Sequence, residues 1–454
     1  MEEISLQEAL DIAVKKHKNG QLKEAEFIYK KVLEKNPKNS DALNLLGLIE
    51  YERKNYEKAI ELIKRAITIK KEAEYYGNIA TVYGDMGEDE KSAQFFEEAL
   101  KINPKYEKAY VAHYNIGVFQ SSRGKFQEAL KHYNKSLELN PDFAEAHWNR
   151  SFILLRDGKF EEGWKEYSYR FKKKDSTDSR IFNKPKWNGE ILAKKRILVI
   201  CEQGFGDNIQ FVRYIPLIKK EKGGYIILEC RREIEGLFRN IEGVDEISIK
   251  NKENNLSNNF DCYVHLMELP GIFKTTLENM ASKIPYIKAN SEISEELREI
   301  LKTNKLKVGI VWAGNPNQDN DKNRSAQFKD FELLEQIPGI CLFSLQKGEA
   351  EKELKSNRVI NLSNKIKNFS DTAVLIENLD LIISVDTSVA HLAGAMGKRV
   401  WTLLTYFPDW RWLNDRTDNP WYPNMRLFRQ REAGNWTFVM TEVKKELENY
   451  VKNR

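Results

Sequence analysis

The stretch LDLIISVDTSVAHLAGAMG, residues 379–397, decides the fold. Leu379 to Val385 are leucine-rich and β-branched, the composition of a strand buried on both faces. Asp386, Thr387 and Ser388 follow at once, and all three are residue types that cap helix N-termini. The small residues Ala390, Ala393, Gly394 and Ala395 come next, and Gly397 suits a helix end. The pattern predicts strand, tight loop and short helix. In an open parallel sheet this puts a helix N-terminus at the carboxyl end of a strand, where backbone N–H groups favour an anion.

The same texture extends on both sides of this stretch. RILVIC (196–201), YIILEC (225–230), DEISI (245–249) and DCYVHL (261–266) read as strands, with helical stretches between most of them. A polar loop, KNKENNLSNNF, separates the third from the fourth. After SEISEELREILKTN a second series follows: KVGIVWAG, CLFSLQ, RVINLS, LDLIISV and RVWTLL. Alternating strands and helices imply parallel sheets, and two series imply two Rossmann-like domains. An amphipathic helix, TFVMTEVKKELENYVKN, closes the chain.

The first part of the sequence repeats itself. LLGLIEYERKNYEKAIELIKRAITIKK from Leu45, NIATVYGDMGEDEKSAQFFEEALKINP from Asn78 and NIGVFQSSRGKFQEALKHYNKSLELNP from Asn115 share one frame, which NGQLKEAEFIYKKVLEKNP also keeps. Small residues recur at Ala13, Gly47, Ala80 and Gly117, and again at Ala25, Ala59, Ser92 and Ala129. Pro37, Pro104 and Pro141 close three of the units. The period is close to the ~34 residues of a tetratricopeptide repeat, whose small residues let antiparallel helices touch. A fifth unit, HWNRSFILLRDGKFEEGWKEYSYRF, keeps the frame with Gly163 and Arg170 in place of the usual small residues, as a terminal cap does.

Composition narrows the classes of function. The 454 residues carry 73 basic and 68 acidic side chains, a net charge of +5, so nothing points to nucleic acid in bulk. The longest apolar runs are too short to cross a membrane, and the opening MEEISLQEALDIAVKKHKNG is unlike a secretory signal. Cys201, Cys230, Cys262 and Cys341 have no paired spacing, which suits free thiols in a reducing cytoplasm.

Five motifs then occur in order: CEQGFGDNIQFVRYIPLI, VGIVWAGNPNQDNDKNRS, FSLQKGE, LDLIISVDTSVAHLAGAMGK and PDWRWLNDRTDNPWYPNMRLFRQ. With the repeats, they resemble the bacterial tetratricopeptide-repeat glycosyltransferases, which include flagellin-modifying enzymes. The catalytic half is similar, more distantly, to the lipopolysaccharide heptosyltransferases, and the architecture resembles that of protein O-GlcNAc transferases. The resemblance implies a helical repeat superhelix followed by an α/β GT-B fold. The corresponding domains are repeats over 1–172, a linker over 173–190, an acceptor domain over 191–290 and a nucleotide-sugar donor domain over 291–454.

It also implies site residues. Asp386, Thr387, Ser388 and His391 match the segment that holds the donor in heptosyltransferase-like enzymes. Thr387 and Ser388 offer hydroxyl and backbone donors, and His391 lies about one turn on, on the same face. Asp386 repels phosphate, so a ribose or sugar hydroxyl is its better partner. A capping role for Asp386 and Thr387 and a core role for His391 stay open. Asp207 matches the aspartate that deprotonates the acceptor hydroxyl, after a turn that Gly204 and Gly206 permit; its other role is to cap the following helix. Arg324 and Ser325 fall where related enzymes place a basic residue on the diphosphate, with Gln346 and Lys347 as a second contact.

Asp319-Asn320-Asp321 imitates the D-x-D metal motif of a different glycosyltransferase fold, and the GT-B resemblance implies no metal and no cofactor beyond the sugar donor. Trp410, Trp412, Trp421 and Tyr422 serve either ligand stacking or packing. The expected function is inverting, metal-independent transfer of a sugar to a hydroxyl of a protein acceptor such as flagellin, recruited by the repeats in the cytoplasm. The rival readings are an interaction scaffold with an inactive catalytic half, and an enzyme acting on a glycan or lipid.

Overall fold

A computed structural model describes residues 4–173, 180, 182–250, 259–280, 283–318 and 320–454. The chain forms two compact units, residues 1–150 and 151–454.

The first unit is built from helices α1 (Leu6–Lys18), α2 (Leu22–Lys35), α3 (Ser40–Glu52), α4 (Tyr56–Ile69), α5 (Ala73–Asp85), α6 (Asp89–Ile102), α7 (Ala109–Ser122) and α8 (Phe126–Leu139). Ser5 and Glu8 form a reciprocal capping box at α1, and Asn39 caps α3 through the Ala42 N–H at 2.8 Å. The recurrent small residues set the helix spacing. A Cβ on Gly47 would stand 2.7 Å from Ile63, and one on Gly117 2.6 Å from the Tyr133 ring. The period also shows in bonds between equivalent positions of adjacent repeats. The Asn78 side-chain amide donates to Asn44 Oδ1 at 3.1 Å, and the Tyr51 hydroxyl donates to Asp85 at 2.6 Å, each pair 34 residues apart.

α9 (Ala144–Arg156) crosses the boundary between the units, and α10 (Phe160–Tyr167) lies within the second. The repeat pattern runs on to residue 171, yet this last helix packs among the residues of the α/β region. The Trp164 ring meets Phe211 and Trp410 edge-on, and its indole N–H donates to the Thr275 carbonyl at 3.2 Å. Arg170 forms a buried two-pronged ion pair with Glu202, at 2.6 and 3.2 Å.

The second unit holds two all-parallel sheets. The first contains β1 (Ala193–Ile200), β2 (Gly223–Cys230), β3 (Glu246–Ile249) and β4 (Cys262–His265) in the order β3-β2-β1-β4. Helices α11 (Phe205–Phe211), α12 (Ile215–Lys222), α13 (Arg232–Phe238) and α14 (Leu269–Ile272) accompany it, and α15 (Glu295–Ile300) leads onward. The second contains β5 (Leu306–Val311), β6 (Ile340–Ser344), β7 (Val359–Asn361), β8 (Leu381–Val385), β9 (Val400–Leu404) and β10 (Met425–Arg429), in the order β10-β9-β8-β5-β6-β7. Its helices are α16 (Asp321–Arg324), α17 (Phe328–Phe331), α18 (Phe369–Glu377), α19 (Ser388–Ala395) and α20 (Trp436–Lys452).

Every strand of the expected series is present. β10 was not among them, because its sequence MRLFR alternates arginine with apolar residues inside a tryptophan-rich motif. α20 lays Val439, Met440, Val443 and Leu447 onto a core that includes Val308, Ile310, Leu381 and Ile383. Cys201, Cys230, Cys262 and Cys341 are free thiols. No described helix is long and apolar enough to cross a membrane.

Candidate active site

In open parallel sheets, ligands bind beyond the carboxyl ends of the strands where the strand order reverses. The first sheet has this point at β1, flanked by β2 and β4, and the second has it between β5 and β8. The loops leaving those strands carry Asp207, Arg324 and Asp386. Within the unit the two sets of loops meet. α11 packs against α19, and a Cβ on Gly206 would stand 2.8 Å from His391 Cδ2, so glycine permits this approach.

Asp207 occupies the third position of α11. Its Oδ2 accepts the Gly204 N–H at 2.8 Å, so it does cap the helix, from its third position rather than from before it, because the helix starts at Phe205, three residues before Asn208. Its other oxygen, Oδ1, pairs with Arg411 Nη2 from the loop after β9. Burial pushes the Asp207 carboxyl above the ordinary carboxylate range, while Arg411 pulls it down.

At the start of α19, Thr387 has extended backbone but its side chain does not cap the helix. Its hydroxyl shares a hydrogen bond with Ser384 Oγ at 2.9 Å instead. Ser388 opens the helix, half-buried. His391 is buried one turn on, with Nδ1 3.0 Å from the Tyr422 hydroxyl and Nε2 3.8 Å from Asp386 Oδ1. Burial, then Arg411 and Arg324, lower its pKa to about 3, so the imidazole is neutral. Asp386 Oδ2 accepts the Trp412 indole N–H at 2.8 Å. Burial, then the Asp409 charge, raise the Asp386 carboxyl to about 6.

Arg324 reaches this group directly. Its Nη1 donates to the Asp386 carbonyl at 3.1 Å and its Nε to Asp321 Oδ1 at 3.1 Å. Ser325 serves the loop: its hydroxyl accepts the Gly314 N–H at 2.9 Å and donates to Asp321 at 3.0 Å. Gln346 acts as an internal strut, with its amide on the backbone of Trp312, Ala313 and Lys347 at 2.9–3.0 Å. Lys347 is exposed and donates to the Ser363 carbonyl at 2.9 Å, so neither joins the Asp386–His391 group by a hydrogen bond. Of the acidic triplet, Asp319 lies outside the described residues, and Asp321 is engaged by Arg324 and Ser325. Among the described residues no three His, Cys, Asp or Glu side chains cluster as a metal site.

The aromatic segment divides by role. Trp410 and Trp421 are buried packing residues: Trp410 stacks on Phe211 and meets Trp164 edge-on, and Trp421 meets Phe211 edge-on. Trp412 and Tyr422 instead hold Asp386 and His391. Arg411, between two tryptophans, has no local sequence signal of its role: its aromatic neighbours suit packing, and its carboxylate partner lies 204 residues away.

Residues 333–447 match the family described as Glycosyltransferase family 9 (heptosyltransferase), a span that includes Asp386, His391 and Arg411 but neither Asp207 nor Arg324. Residues 16–80, 73–106 and 110–143 match tetratricopeptide repeats. Protein FlbA of Caulobacter vibrioides is 27% identical over 91% of this chain and 74% of its own length. Protein O-mannosyl-transferase TMTC1 of Mus musculus is 26% identical over 27% of this chain and 13% of its own. Among solved structures, MamA is 25% identical with a TM-score of 0.31, over 35% of this chain and 91% of that one. PilW, a type IV pilus biogenesis factor, is 23% identical with a TM-score of 0.33, over 38% and 80%.

Proposed function

We propose that this chain, in which tetratricopeptide repeats precede a glycosyltransferase family 9 domain, moves a sugar from a nucleotide-sugar donor to a hydroxyl of a protein acceptor. The observation that carries this reading is the packing of α11, which bears Asp207, against α19, with Gly206 at His391, each helix following the switch point of its own sheet. The two sheets then act as the halves of a GT-B enzyme. The donor diphosphate lies at the α19 start, where backbone N–H groups have no side-chain cap and Arg324 supplies positive charge. Neutral His391 contributes a hydrogen bond rather than charge, and Asp386 accepts from a ribose or sugar hydroxyl.

Asp207 takes the proton of the acceptor hydroxyl as its oxygen attacks the anomeric carbon. The bond from that carbon to the phosphate oxygen breaks, its electron pair leaves with the nucleotide, and the configuration inverts. The guanidinium of Arg324 faces the growing negative charge, a task that other glycosyltransferases give to a metal. We therefore expect no metal requirement. The repeats select the acceptor, flagellin being the favoured candidate, and the reaction belongs in the cytoplasm.

The test is Asp207→Asn, assayed with UDP-, GDP-, ADP- and CMP-linked sugars for release of the nucleotide. Turnover is expected to fall by roughly 10²–10⁴-fold, the usual contribution of a general base, with donor affinity within a few-fold of wild type. Wild-type turnover in the folded variant would remove Asp207 from the chemistry.

A further inference from the structure

Asp207 is a carboxylate held largely out of water, and a proton-accepting role requires it to be charged there. The groups that face it are few. Glu202 in its own loop is neutralised by Arg170, at 2.6 and 3.2 Å. Arg231, beyond β2, stacks on the Phe205 ring at 3.7 Å and donates to the Gln203 carbonyl at 3.0 Å. Tyr167 comes from α10, and Asp409 adds a second negative charge. Arg411 is the cation bonded to Asp207 Oδ1 itself.

Arg411 is firmly held. It lies in the turn Trp410–Trp412, where Asp409 Oδ1 accepts its backbone N–H at 3.0 Å and its Nη1 at 2.7 Å. The guanidinium stands 4.5 Å from the Trp410 ring centre and 5.7 Å from that of Phe211. Its Nε is buried and meets no acceptor among the described residues. With only 9% of the side chain exposed, a cation in this position is costly unless its charge is used.

We propose that Arg411 is the positioning residue for Asp207, holding the base ionised and aimed from the donor side of the site. The proposal rests on the reading of Asp207 as the base, and it ties the proton acceptor of one sheet to a turn of the other. Burial works against charge on both partners, and each supplies the opposite charge the other needs. Without the guanidinium, burial and Asp409 are opposed at Asp207 chiefly by the Gly204 N–H, and the carboxyl is driven towards the protonated form in which it cannot accept the substrate proton. Lysine preserves the charge but not the fork, so Arg411→Lys is the conservative variant and Arg411→Gln the disruptive one.

The test is a carboxyl titration of the full chain labelled with ¹³C-aspartate, the Asp207 signal being assigned with Asp207→Asn. In Arg411→Gln the Asp207 midpoint is expected to rise by about one unit or more, roughly a tenfold loss of the ionised form at pH below both midpoints, and in Arg411→Lys to stay within about half a unit. Turnover of the nucleotide sugar that supports activity should follow. For Arg411→Gln, the acid limb of kcat moves to higher pH by the same amount, with about a tenfold loss on that limb and recovery towards alkaline pH, and KM stays within a few-fold. An Asp207 midpoint and acid limb that coincide with wild type in Arg411→Gln would overturn the proposal. If that variant does not fold, Arg411→Lys decides: a folded lysine variant with a displaced acid limb contradicts the proposal, and a wild-type limb supports it. Full activity of Asp207→Asn would instead strike at the base assignment, whereas an inactive Asp207→Asn beside an unchanged Arg411→Gln would strike at this proposal alone.

Discussion

Two buried residues at the start of α19 respond to pH in opposite senses. Asp386 has its folded pKa raised from 3.8 to about 6, so its contribution to stability is present at acid pH and is lost as pH rises through 6. His391 has its folded pKa lowered from 6.5 to about 3, so its contribution is present above 6.5 and is lost as pH falls towards 3. Between about pH 4 and 6 the two slopes oppose, and each amounts to a few kcal/mol at most. Asp386→Asn should therefore make the melting temperature rise more steeply with pH over that window than wild type, and His391→Gln should make it rise less or fall. Parallel curves for all three proteins would contradict the burial of these groups. The residue types at this site were legible in the sequence, because Asp, Thr, Ser and His after a strand-like run already mark a helix start. Their partners were not. Trp412 and Tyr422 reach Asp386 and His391 across 26 and 31 residues, a fact of tertiary packing that no local pattern records.

At the level of elements, local rules were enough wherever a segment is buried on both faces. β8 and α19 follow from LIISV and the small residues after it, and Gly397, at φ +73°, ends α19 in the left-handed conformation glycine favours. β10 escaped because an edge strand with one exposed arginine and flanking aromatics has no clean alternation. The helix pair α9–α10 also shows where the pattern stops deciding. Its repeat frame is intact, with Gly163 closing onto Leu155, yet Trp164 and Arg170 have partners that only the α/β region supplies. The approach of α11 to α19 depends on Gly206. Gly206→Val should displace His391, whose other side is fixed by Tyr422, and weaken nucleotide-sugar binding about tenfold or more while the helical signal is retained. Unchanged affinity measured by calorimetry would show that the contact is not part of the donor site.

For the whole molecule, the division of labour follows from where each kind of residue lies. The repeats are helices spaced by small residues at a 34-residue period, the part to which acceptor selection is assigned in the proposed function. The unit that follows holds both switch points and all the carboxylates and arginines assigned to chemistry. Protein FlbA is similar over 91% of this chain, so the similarity takes in both the repeats and the α/β region. The repeat period and the paired parallel sheets were legible in the sequence because both repeat a local pattern many times. The electrostatic link between the sheets was not legible, since it depends on one arginine meeting one aspartate. The chemistry assigned to the second unit depends on a bound nucleotide-sugar donor. Calorimetric titration of the full chain with UDP-, GDP-, ADP- and CMP-linked sugars should yield at least one saturable ligand, with Arg324→Ala weakening it about tenfold or more, as expected for a lost charged hydrogen bond. Absence of binding by every nucleotide sugar to the folded wild-type chain, or binding indifferent to Arg324, would contradict it.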